Sequence, residues 1–130
     1  MGRILLVQAP SPILKQYKFI PFSIAYIAAL LEKKGYIVDI YDMDVLNHSI
    51  KEFSQIYNDL NYDIIGISSH TVSYKNALSI AKKAKELNKN IVTVLGGHHV
   101  TFMARQAFQD SNDVDIVVIG EGETTFLEIA

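Results

Sequence analysis

With 130 residues, 49% of them apolar, the chain is long enough for one compact domain with a real core and too short for two. A formal net charge of -2 leaves no basic excess to hold a phosphate backbone, which argues against nucleic acid as a partner. The lack of cysteine removes disulfides, thiolate metal sites, iron–sulfur ligation and cysteine nucleophiles, so any redox chemistry must come from outside this segment.

The first apolar run, Arg3 to Gln8, reads as a strand and is far too short for a signal sequence or a membrane span. A cytoplasmic location without a membrane partner is therefore expected. Gly2 does not open a myristoylation motif, because Leu6 stands where that motif needs Ser or Thr. After a loop that ends at Pro21, Phe22, Ala25, Tyr26, Ala29 and Leu30 form one stripe of a helix, with proline suited to its first turn. Gly35 closes that helix as a C′ glycine behind Lys33 and Lys34, whose charges suit a last turn.

Tyr36 to Tyr41 forms a second apolar run, and Ile50, Phe53, Ile56 and Tyr57 predict a helix that starts after Asn47, His48 or Ser49. Asp42 and Asp44 follow the second strand as ordinary turn formers and are given no role. A third run, Ile64 to Ile67, precedes a helix whose stripe is Ala77, Ile80, Ala81, Ala84 and Leu87. Ile91 to Leu95 and Ile116 to Ile119 are the fourth and fifth runs, separated by a weaker helical pattern at Ala104, Ala107 and Phe108. These β-branched runs suit strands buried on both faces.

This alternation predicts a doubly wound α/β fold: a flavodoxin-like or Rossmann-like three-layer sandwich around a five-stranded parallel sheet in the order 2-1-3-4-5. In that order the crevice opens at the carboxyl ends of strands 1 and 3, where ligands are expected. The last helix, beginning near Glu123 or Thr124, has barely two turns before Ala130. That truncation leads to the expectation that the chain, residues 1–130, is one domain of a longer polypeptide.

The loops at the strand ends carry the candidate chemistry. The first, Gln8 to Pro21, has neither a GxGxxG fingerprint nor a P-loop, which disfavours nicotinamide and ATP. Its Ala9-Pro10-Ser11-Pro12 start also lacks the hydroxyl- and glycine-rich phosphate loop of a flavodoxin, and Gln8 and Ser68 stand where a phosphoacceptor receiver needs acids. In the third loop, Ser68, Ser69, His70, Thr71 and Ser73 offer small donors and acceptors to a heteroaromatic ligand, while Thr71 or Ser73 also suits a helix cap.

The fourth loop opens with Gly96 and Gly97, consecutive glycines that imply close approach of ligand or chain to bare backbone. His98 and His99 point apart on an extended backbone and have no evident third ligand, so no metal site is assigned; Thr101 reads as the next helix cap. The fifth loop, Gly120-Glu121-Gly122-Glu123, would repel phosphate and would accept hydrogen bonds from ribose hydroxyls or amide N–H groups. A ligand rich in primary amides suits it; Glu123 fits equally well as the acidic first turn of a helix.

Together these segments resemble the cobalamin-binding domain at the N-terminus of B12-dependent radical SAM proteins, a group that includes anaerobic magnesium-protoporphyrin monomethyl ester cyclase-like enzymes. The resemblance spans nearly the whole chain. Pro21 to Leu31 stands in the place of a P-x-G-x-x-Y-x-A-x-x-L pattern, with Ser23 replacing the glycine. Asp63-Ile64-Ile65-Gly66-Ile67-Ser68, Gly96-Gly97-His98-His99-Val100-Thr101 and Val117-Val118-Ile119-Gly120-Glu121-Gly122-Glu123 resemble the signatures of strands 3, 4 and 5.

The resemblance implies a corrinoid contacted by Gln8, Ser68, Ser69, His70, Thr71, Gly96, Gly97, His98, Thr101, Gly120, Glu121, Gly122 and Glu123, with its nucleotide tail toward strands 3 and 4. The D-x-H-x-x-G motif of the methionine synthase and mutase branch is missing from the first loop, which has no histidine or glycine. Base-off cobalamin without a histidine from that loop is therefore implied, its lower face open, water-bound, or covered by Gln8, Ile13 or Leu14. S-adenosylmethionine and a [4Fe-4S] cluster belong to a C-terminal radical SAM domain in cis, so this segment carries no catalytic residue and binds without turnover. The alternative is a cofactor-free packing or interaction domain that keeps the fold, its crevice plugged by Tyr74, Phe102 or Met103.

Overall fold

The computed structural model describes residues 2–11, 22–58, 61–97, 105–119 and 123–130. In chain order the elements are β1 (Arg3–Gln8), α1 (Phe22–Lys33), β2 (Ile37–Asp42), α2 (Ile50–Ile56), β3 (Ile64–Ser68), α3 (Tyr74–Leu87), β4 (Val92–Gly96), α4 (105–110), β5 (Ile116–Val117) and α5 (Glu123–Ile129). All five strands are parallel in the order β2-β1-β3-β4-β5, as predicted.

Two apolar cores flank the sheet. Leu5, Val7, Tyr41, Ile65, Ile67 and Leu95 point to the face covered by Phe53 of α2, Ala77, Ile80, Ala81 and Ala84 of α3, and Ala107 of α4. Ile4, Leu6 and Val94 point to the opposite face, where Ile24, Ala28 and Leu31 of α1 meet Phe126 of α5. The interior strand β1 alternates between the two cores, which accounts for its unbroken apolar run. Each fully buried Leu, Ile or Phe contributes roughly 1.5–3 kcal/mol.

The edges depart from the expectation of strands buried on both sides. Among the described residues β2 has one sheet neighbour, β1, and Ile37 and Ile40 are 56% and 47% exposed. β5 pairs over Ile116–Val117 alone, and Ile119 is exposed beyond it.

The buried stripe of α1 also differs from the predicted one. Ile24, Ala28 and Leu31 are buried with Ile27 packed beside them, whereas Ala25 and Ala29 are exposed and Tyr26 is 58% exposed. The helix is apolar nearly all round, so periodicity fits two faces. The bulkier Ile and Leu side chains remove more apolar area from water and decide which face turns inward. Phe108 of α4 is likewise exposed while Ala107 is buried.

Helix boundaries follow their local chemistry. Past Lys33, the Gly35 N–H donates to Glu32 O at 3.0 Å and the Tyr36 N–H to Leu31 O at 3.2 Å, a Schellman closure with Gly35 at φ 96°. α2 starts at a capping box between Ser49 and Glu52, the Ser49 N–H donating to Glu52 Oε2 at 2.7 Å. Within α2 only Phe53 is fully buried; Ile50 and Ile56 of the predicted stripe are exposed.

Candidate functional site at the carboxyl ends of the strands

Parallel register brings the first predicted residues together. Gln8 lies opposite Ser68 and Ser68 opposite Gly96, so three loops leave the sheet from one level. Backbone hydrogen bonds extend the row past the strands: the Ala9 N–H donates to Ser68 O at 2.9 Å and the Ser69 N–H to Gly96 O at 3.1 Å. None of these side chains is charged, so the row suits neutral polar groups better than phosphate.

The two glycines at the β4 exit do different work. Gly97 has φ 113°, and a Cβ there would lie 2.0 Å from Ser69 O; its bareness lets the β3 and β4 exits touch. Around Gly96 a Cβ would meet nothing within 4 Å among the described residues, which leaves open space there at the strand end. At the neighbouring β3 exit, Ser69 is 0% exposed and its Oγ has no hydrogen-bond partner among the described residues. A buried hydroxyl without a partner costs about 1–3 kcal/mol, so an intended acceptor or donor from a ligand is the usual reason to keep one.

The turn after Ser69 is built by its own hydroxyl chemistry. His70 is exposed, and its N–H donates to Ser73 Oγ at 2.9 Å, while the Ser73 N–H donates to His70 O at 3.1 Å. Ser73 occupies the N-cap position of α3 without making the side-chain cap bond predicted for it, because its hydroxyl is turned back onto His70. Thr71 lies in the 3-10 turn Thr71–Ser73, and its side chain lies outside the described residues. His98, His99, Thr101, Gly120, Glu121 and Gly122 lie outside them too, as do Ile13, Leu14, Phe102 and Met103. Glu123 opens α5, with its side chain outside the described residues. Tyr74 is buried on α3 and donates to Asp110 Oδ2 on α4 at 2.7 Å; burial first, and that carboxylate second, push its phenol upward.

Two residues left without a role in the sequence fix the start of the first loop. Asp44 Oδ1 accepts the Ser11 N–H at 2.9 Å, and Asn76 Nδ2 donates to Pro10 O at 2.8 Å. Asp44 carried a weak signal as an acid just past a strand, whereas nothing in the sequence couples Asn76 to Pro10, sixty-six positions away. Between these tethers lies a cleft of about 270 Å³, bounded by Ser11, Met43, His48, Asn76 and Ile80. It is lined by the start of the loop after β1, by the segment after β2 and by α3, whereas the sequence places the ligand at the carboxyl ends of β1 and β3, with its nucleotide tail toward β3 and β4. At its rim the Tyr41 hydroxyl and His48 Nδ1 are 2.6 Å apart, and Tyr41 is pushed up to about 12, by burial first and then by Tyr57 and Glu52.

Among the described residues no group of three or more His, Asp or Glu could hold a metal ion, and no helix is long and apolar enough to cross a membrane.

Comparison with known proteins agrees with the fold. The chain is 34% identical over 109 residues to an uncharacterized methyltransferase of Pyrococcus horikoshii, covering 84% of this chain and 24% of that protein. It is 35% identical over 111 residues to the anaerobic magnesium-protoporphyrin IX monomethyl ester cyclase of Rubrivivax gelatinosus, covering 84% of this chain and 20% of the cyclase. Among solved structures, the radical S-adenosylmethionine methyltransferase TsrM from Kitasatospora setae with cobalamin and a [4Fe-4S] cluster bound matches with a TM-score of 0.81 at 17% identity, covering 99% of this chain and 24% of that one; this likeness concerns the fold. The chain thus spans about a quarter or less of the length of these relatives. Residues 15–130 match the B12 binding domain family, and the chain belongs to that family.

Proposed function

We propose that this chain is the cobalamin-holding module of a longer radical SAM protein and that it takes the cofactor base-off, with no histidine from the first loop on cobalt. The observation that carries this reading is the Ser69 hydroxyl, fully buried at the β3 exit without a partner among the described residues, on the strand next to the open position at Gly96. A domain that only packed against a partner would gain by losing that hydroxyl and filling that space.

Bound cobalamin supplies a cobalt centre able to carry a methyl group. This chain's residues hold and orient it. Ser69 offers its hydroxyl to the nucleotide arm, Gly96 leaves room for it, and Gln8 and Ser68 border it from the neighbouring strand ends. His70 and Thr71 follow in the third loop, while Gly97 keeps the two exits in contact. His98, Thr101, Gly120, Glu121, Gly122 and Glu123 complete the contacts to the corrin's polar arms. S-adenosylmethionine, the [4Fe-4S] cluster and the reaction belong to a downstream domain in cis.

Titration of the chain with hydroxocobalamin or methylcobalamin, followed by visible absorption, tests the reading. A saturable shift to the base-off spectrum is expected. A folded chain that leaves the spectrum unchanged at saturating corrinoid would instead be the cofactor-free packing domain, which the lack of a cobalt ligand in the first loop favours.

A further inference from the structure

We infer that the free edge of β2 is an interface for a second copy of this chain, formed by antiparallel pairing of two β2 strands across a twofold axis. The Ile37 N–H donates to Gly2 O at 3.3 Å, and Arg3 lies opposite Ile37. In a parallel ladder this register turns the N–H and C=O of residues 37, 39 and 41 toward β1 and those of Val38, Ile40 and Asp42 outward. Asp42 O is taken by the Leu46 N–H at 3.3 Å, and the Tyr36 N–H is taken by Leu31 O at 3.2 Å, so both ends of the edge are closed. Val38 and Ile40 are left with outward backbone groups that have no partner among the described residues.

Along this edge the protecting charges are two aspartates, Asp39 and Asp42, and Asp39 is already engaged within its own copy. β2 contains no lysine or proline. Ile37 and Ile40 on the strand, and Val45 and Leu46 just past it, are all exposed. Ile37 and Ile40 project from opposite faces of the sheet, so the free backbone edge is flanked by an apolar side chain on each side.

Charge and register point to a second copy rather than to an unrelated strand. Antiparallel pairing sets the lower end of one edge against the upper end of the other. The exposed Lys33 and Lys34 then face the segment of the partner that holds its Asp42 and Asp44. A twofold axis at Asp39 would set two like carboxylates opposite each other, an unfavourable pair. An axis at Ile40 avoids this: the two Ile40 residues exchange N–H and C=O, Asp42 N–H reaches the opposite Val38 O, and Asp39 lies opposite Tyr41. Asp39 meanwhile stays held in its own copy by Tyr62, whose hydroxyl donates to Asp39 Oδ2 at 2.6 Å. The other sheet edge, β5, pairs over just two residues, so the contact closes as a dimer and does not propagate.

Two short strands bury less than a standard interface, so a dissociation constant of about 10 µM to 1 mM is expected. Sedimentation of the chain from about 10 µM to 1 mM, without corrinoid, tests this and does not depend on the cobalamin reading. A reversible monomer–dimer equilibrium is expected. Ile40→Lys should weaken it at least tenfold, about the effect of one interfacial residue. Lys34→Glu, at an exposed position past α1, should weaken it roughly tenfold because the charge contact occurs twice. Both variants should keep the far-UV dichroism of the parent chain. A chain that stays monomeric throughout, or a dimer that neither substitution weakens, overturns the inference.

Discussion

Gly97 and Ser69 are packed backbone to backbone: a Cβ on Gly97 would stand 2.0 Å from Ser69 O and 2.9 Å from Ser69 N. The β3 and β4 exits can therefore meet only while residue 97 has no side chain. With φ at 113°, the position is strained for any other residue even before the clash. Gly97→Ala should lower the unfolding free energy by about 3 kcal/mol or more, read from urea denaturation of the corrinoid-free chain. A loss below about 1 kcal/mol would mean that the two exits move apart freely.

The adjacent glycine should behave in the opposite way. A side chain at Gly96 enters open space, so Gly96→Leu should leave unfolding within about 1 kcal/mol of the parent chain. The leucine occupies volume assigned to the ligand, and corrinoid affinity should fall at least about tenfold, worth roughly 1.4 kcal/mol. Equal corrinoid binding by parent and variant would place the ligand elsewhere on the domain.

Ser69→Ala separates cost to the fold from value to the ligand. The hydroxyl is buried without a partner among the described residues, so its removal should raise stability by about 1 kcal/mol without corrinoid. The same change should weaken corrinoid binding several-fold, by about 1 kcal/mol, as one lost hydrogen bond. Calorimetric melts and absorption titrations on the same two proteins read both signs. If stability falls while affinity holds, Ser69 is structural.

Strand order and most helix spans were legible because apolar runs and caps are local signals. The Schellman turn at Gly35 and the capping box at Ser49 each needed only a few adjacent residues. The buried face of α1 was not legible, since a helix apolar on both sides gives periodicity no preference between Tyr26 and Ile24. In the site, sequence marked Gly96 and Gly97 as a pair but could not assign their separate work, which depends on how close Ser69 comes across the sheet. The tethers from Asp44 to Ser11 and from Asn76 to Pro10 lie wholly in tertiary contact.

Asp115 couples the short β5 to the sheet, and its chemistry makes that coupling sensitive to acid. Its Oδ2 accepts from Lys85 Nζ at 2.6 Å and from the Thr93 N–H at 2.9 Å, and Thr93 is buried in β4. The Asp115 N–H in turn donates to Thr93 O at 3.1 Å just before β5. Burial alone would raise this carboxyl, but the hydrogen bonds from Lys85 and Thr93 and the Lys85 charge outweigh it and hold the group below the usual carboxylate range. A carboxyl lowered by folding contributes its full stabilisation above its unfolded value of about 3.9 and loses it as pH falls through the lower folded value. Asp115→Asn should cost about 1 kcal/mol at neutral pH, after allowing for solvent screening of a partly exposed pair. The gap between the two proteins should then narrow as urea denaturation is repeated from about pH 6 to about pH 3. A gap that stays constant across that range would show that the Asp115 charge adds nothing to the clamp on β5.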